Sequence, residues 1–108
     1  MTKTKPIEVV YTINVDSTGN ATVAAQPRKA RIGDSVMFKS NDKSTVVKCG
    51  KPSEFAGVKA GELLGLDRSY TVIEKFDLPC GRIDPINKRF AKWGGAGVGS
   101  EGGPGGDR

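Results

Sequence analysis

Along residues 7–15, "IEVVYTINV", the side chains of Ile7, Val9, Tyr11, Ile13 and Val15 fall on one parity, with Glu8, Thr12 and Asn14 on the other. Successive side chains of a strand point to opposite faces, so this period of two predicts a half-buried strand. The polar "DSTGN" follows as a turn, with Gly19 free to take a positive φ. In "ATVAAQP", Ala21, Val23 and Ala25 share a face, so the two runs are expected to form a hairpin. Pro27 ends its ladder, because proline has no N–H to donate. "RKARIGD" leads through a short strand into a tight turn at Gly33 and Asp34, and "SVMFKS" directs Val36 and Phe38 to the core. Further strands are predicted over 44–49, 69–76 and 88–93. The glycine-punctuated 50–68 is irregular, with Ser53 placed to cap a short helix or turn, and "DLPCGRIDPIN" reads as turn-rich. Short strands, regular turns and no long amphipathic helix predict an all-β sandwich.

Composition changes this picture at one end. Residues 94–108, "GGAGVGSEGGPGGDR", offer Val98 as the one sizeable apolar side chain. They are expected to be a flexible, disordered Gly-rich tail behind a single β-sandwich domain at 1–93. The chain carries a net charge of +5, which favours anionic partners. Its densest cations are Arg28, Lys29 and Arg31, then Lys88, Arg89 and Lys92. They form a candidate anion-binding set, set against the plainer reading of a solvated basic surface. Aromatic side chains do not alternate with them as on a base-stacking surface. No apolar run approaches the ~20 residues of a membrane span, and no signal peptide is visible at the start.

Chemistry is limited by what is missing. There is no histidine, so neither a Ser-His-Asp nor a Cys-His catalytic set can be built. The carboxylates Glu54, Glu62, Asp67, Glu74, Asp77 and Asp84 are scattered without a paired signature. The spacing in "GAGVGSEGG" lacks the lysine of a phosphate loop and has no helix to follow it. A catalyst is therefore not expected, nor is a cofactor. Cys49 and Cys80 admit three readings: a disulfide, two thiols, or a soft Cu(I) pair. A disulfide implies an oxidising compartment, periplasmic or extracellular; two thiols fit the cytoplasm.

Residues 23–47, "VAAQPRKARIGDSVMFKSNDKSTVV", resemble the N-terminal half of a cupredoxin. Pro27, Gly33, Asp34, Val36, Phe38, Asn41 and Asp42 follow that family's order of proline, Gly-Asp turn, Val-x-Phe strand and Asn-Asp break. "SYTVIEKFDLPCGRI" is similar to its penultimate strand and the turn that follows. The resemblance implies a Greek-key sandwich. It also implies a copper ligand just after the Asn-Asp break, where Ser44 and Thr45 stand instead of histidine. A type 1 copper site needs two imidazoles and a thiolate, so none is expected here. A Cys49–Cys80 bond would then tie together the regions that copper ties in the family. The function expected is that of a copper-free, cupredoxin-like binding or interaction module. The alternatives are a basic module that binds a polyanion and a thiol-based Cu(I) carrier. The partner expected is another protein or an anionic surface.

Overall fold

The computed structural model describes residues 5–95 and 97–101. One sheet has the order β10-β2-β1-β3-β6. It is built from β1 (Glu8–Val15), β2 (Asn20–Gln26), β3 (Ser35–Ser40), β6 (Ser69–Thr71) and β10 (Gly94–Gly95). A four-stranded sheet has the order β5-β4-β8-β9, from β4 (Val46–Lys48), β5 (Leu63–Leu64), β8 (Cys80–Ile83) and β9 (Phe90–Lys92). β7 (Asp77–Leu78) and β11 (Val98–Gly99) form a separate antiparallel pair. The arrangement is all-β and sandwich-like, and no helix occurs among the described residues.

The alternation in β1 sets the first sheet. Val9, Tyr11 and Ile13 are buried, and Glu8 and Asn14 are exposed. β1 runs antiparallel to β2 and parallel to β3, with Val9 beside Val36 and Tyr11 beside Phe38. The inward faces of both strands therefore fall in register. Between β1 and β2, Gly19 takes φ 84° at the turn foreseen for it.

Five aromatic rings close the core in a circuit. Tyr11, Phe38, Tyr70, Phe55 and Phe76 meet in sequence and back to Tyr11, with centroids 5.1–6.2 Å apart and tilted planes. Tilted contacts suit the ring quadrupoles better than face-to-face stacking. Val47, Leu64 and Cys80 complete the core from the second sheet.

Three expectations are corrected. The segment after Trp93, expected as a tail, is folded where it is described. Gly94–Gly95 pairs with β2, Val98–Gly99 pairs with β7, and Val98 is fully buried. Its glycines are needed for close approach: a Cβ at Gly97 would lie 2.6 Å from the Leu78 carbonyl oxygen, and one at Gly95 2.5 Å from that of Ala21. The rest of the expected tail, 102–108, lies outside the described residues. Residues 27–34 form no strand, because their polar groups bond to Asp34 and Tyr11 rather than to a ladder. Of the short helix or turn expected at Ser53, the turn is found: its hydroxyl accepts the Phe55 N–H at 3.1 Å. Cys80 lies within β8, between β4 and β9, not in a turn. Gly81 suggested the turn, but it is there because a Cβ would collide with the Ala91 carbonyl of β9.

Candidate functional site

The end of the sandwich where β3 leaves its sheet carries the Asn-Asp break, after which the resemblance implies a copper ligand. Asn41 clamps the end of β1, accepting the Val15 N–H at 2.8 Å and donating to the Val15 carbonyl at 2.9 Å. Asp42 turns the chain by accepting from the Ser44 amide at 2.9 Å and the Ser44 hydroxyl at 2.6 Å. Chiefly that hydroxyl, with the amide, holds the Asp42 carboxyl below its usual range. Thr45 then points inward and is 1% exposed.

The Thr45 hydroxyl lies 3.0 Å from Ser40 Oγ and accepts from Trp93 Nε1 at 3.2 Å. Arg82 stands over the Trp93 ring, 5.8 Å from its centroid. The position after the Asn-Asp break is thus filled by a closed network of two hydroxyls and an indole. Among the described residues, every buried side-chain nitrogen and oxygen has a hydrogen-bond partner. No group of three or more His, Cys, Asp or Glu residues that could hold a metal ion occurs among them. Neutral hydroxyls and an indole N–H are not the imidazole and thiolate donors that copper requires, so the residues do not fit that ion.

The two cysteines are both buried and are not bonded to each other. In the β4–β8 ladder Val47 faces Cys80, which leaves Cys49 opposite Leu78. Cys49 and Cys80 therefore sit diagonally on one face. Diagonal cross-strand neighbours are typically ~7–8 Å apart, beyond the ~4.4–6.8 Å Cα separation of most disulfides. No disulfide joins them in the structure. The Cys49 thiol donates to the Lys59 carbonyl at 3.1 Å. Burial pushes the Cys80 thiol above its ordinary value, which works against the thiolate that Cu(I) would need.

The six candidate anion-binding cations are not brought together. Arg28, Lys29 and Arg31 lie at the end of the sandwich where β3 begins. There Asp34, 3% exposed, accepts from Arg28 Nη1 at 2.7 Å, the Arg31 amide at 2.9 Å and the Ile7 amide at 3.0 Å. Burial alone would raise the Asp34 carboxyl, but these donors together hold it below its usual range. Arg31 also pairs with Glu101. Lys88 and Arg89 occupy the opposite end, in the turn between β8 and β9, with Lys92 on β9. Among the described residues, none of these three enters an ion pair.

Sequence reasoning missed three contributors. Trp93 and Arg82, which close the Thr45 network, reach it only through the long-range pairing of β8, β9 and β10. Ile86, at the tip of the β8–β9 turn, is 91% exposed. Its signal was visible: Ile83 and Ile86 interrupt the turn-rich "DLPCGRIDPIN", for which no strand was predicted. No family model, curated protein or solved structure matches the chain.

Proposed function

We propose that the chain is a copper-free, cupredoxin-like domain that works as a binding module rather than a catalyst. The observation that carries this reading is Thr45. It stands where the resemblance implies the first copper ligand, and its hydroxyl is held between Ser40 and Trp93. The parallel β1–β3 pair and the Asn41 clamp keep the strand and the break that precede such a site. The strand is retained as scaffold, with Val36 and Phe38 filling the core. The absence of histidine removes the Ser-His-Asp and Cys-His pairs and the imidazole ligands of a type 1 copper site.

Copper titration tests the reading. Purified protein mixed with Cu(II) gives no intense thiolate-to-copper absorption, and its thermal midpoint does not move. A specific ligand at 100-fold excess over its Kd would stabilise the fold by about 2.7 kcal/mol. A blue colour with a raised midpoint would falsify the proposal.

A further inference from the structure

The β8–β9 turn joins an apolar tip to a cationic rim. It is tied internally: Asp84 Oδ1 accepts the Ile86 amide at 2.8 Å, the Lys88 amide donates to the Asp84 carbonyl at 2.8 Å, and the Arg89 amide donates to Asn87 Oδ1 at 2.9 Å. Lys88 takes φ 60° to close it. Ile86 therefore stays 91% exposed on a braced turn rather than folding back onto the domain. Below it Ile83 and Phe90 face each other across the ladder, Ile83 being 36% exposed. Lys48 lies over the Phe90 ring at 5.8 Å, so a cation from β4 joins Lys88 and Arg89 around the same apolar group. From 80 to 93 the chain carries four cations against one carboxylate, Asp84, which is used inside the turn.

We propose that this turn is a docking loop for an anionic lipid bilayer. Ile86 enters the acyl boundary, and Lys48, Lys88 and Arg89 meet the headgroups. Charge complementarity selects an anionic surface, and the shape selects among such surfaces. Single-stranded nucleic acid is bound through aromatic stacking platforms, whereas the tip here is aliphatic and Phe90 is covered by Lys48; a duplex is held by phosphate contacts that leave an exposed apolar tip such as Ile86 without a role. A specific protein interface needs about 800 Å² from each side, more than one projecting turn presents. A bilayer accepts a small convex apolar tip and adds attraction for each cation near its surface. The inference rests on the reading of the domain as a binding module, and gives it a partner.

Co-sedimentation with vesicles tests it, using phosphatidylcholine alone and phosphatidylcholine with phosphatidylserine, at low and high salt. The expected result is binding to the serine-lipid vesicles that weakens with salt, and none to phosphatidylcholine alone. Lys88→Asn with Arg89→Gln, where asparagine tolerates the positive φ, lowers partitioning about thirtyfold. Ile86→Ser lowers it about tenfold. All the altered side chains are exposed, and unchanged thermal midpoints confirm that the variants fold. Absence of binding to serine-lipid vesicles overturns the proposal. So does Ile86→Ser binding like the parent, which would reduce the effect to diffuse charge. Preference for polyuridylate over the vesicles, indifferent to Ile86, overturns it in favour of nucleic acid. The copper titration is independent, so failure here and failure of the copper-free reading are separately visible.

Discussion

Replacing Val98 by alanine separates a docked C-terminal segment from a loose one. Val98 is fully buried opposite Leu78, on the β7–β11 pair. The substitution removes two buried carbons, about 1.6 kcal/mol at ~0.8 kcal/mol each. Incomplete collapse around the vacated volume raises the loss to about 2–3 kcal/mol. For a domain of this size each kcal/mol lowers the midpoint by roughly 4–8 °C, so a fall of about 10–20 °C is expected in thermal unfolding followed by circular dichroism. Ile86→Ala, at a site 91% exposed, serves as the control and stays within about 0.5 kcal/mol of the parent. Gly97→Ala reaches the same segment through the backbone, since its Cβ would meet the Leu78 carbonyl oxygen at 2.6 Å. A Val98→Ala midpoint within about 2 °C of the parent would refute the reasoning and restore the view of a tail that packs on nothing.

Other outcomes follow from single groups. Tyr11→Phe removes a buried hydroxyl that donates to the Gly99 carbonyl at 2.8 Å and accepts the Ala30 amide at 2.9 Å; a loss of about 2 kcal/mol is expected in urea melts. Burial foremost raises the Tyr11 phenol above 10.0, so the native state keeps its proton longer than the unfolded chain. Its contribution is full below the unfolded value and is lost as pH rises through the folded one, a decline that Tyr11→Phe should lack. Asp34 has the opposite sign: its depressed carboxyl contributes above the unfolded value of ~3.9 and is lost as pH falls through the lower folded value. Acid titration of Asp34→Asn should show a smaller loss of stability below that point than the parent. Gly81→Ala forces a Cβ into the Ala91 carbonyl, and a drop of about 3 kcal/mol or failure to fold is expected; parent-like melting would show that β8 and β9 can move apart. Protein prepared under oxidising conditions and then denatured should titrate both cysteines as thiols, and a mass two hydrogens lighter than the reduced chain would show that the diagonal register can be bridged.

Sequence pattern carried furthest where one face is buried and one is wet. The parity of β1, the turn at Gly19 and the inward Val36 and Phe38 are all visible in a period of two. The pattern failed where glycine had two meanings. At Gly81 and Gly97 glycine marks close contact between backbones, yet its spacing in sequence is the same as in a turn or a flexible linker. Which meaning applies depends on a partner strand distant in the chain, and local propensity holds no record of it. The turn at the Asn-Asp break was legible from its residue types, but the network that closes over Thr45 was not, because the Trp93 indole comes from a residue 48 positions away. The basic residues were legible as a list but not as a surface: ion pairing by Arg28 and Arg31 and placement at opposite ends divide them.

The Tyr11 hydroxyl joins the first strand to Gly99, 88 residues later. During synthesis the ribosome delivers Tyr11 early and its acceptor near the end of these 108 residues. Until Gly99 emerges, β7 lacks β11, Phe76 lacks the Ser100 hydroxyl that accepts its amide, and Tyr11 lacks its acceptor. The nascent chain must therefore carry an open apolar seam until that point, the condition in which strand-rich intermediates aggregate and chaperones bind. Closure of this sandwich therefore waits on β10 and β11, made after every other strand, and until they are in place the last seam stays accessible to any protein that recognises exposed strands.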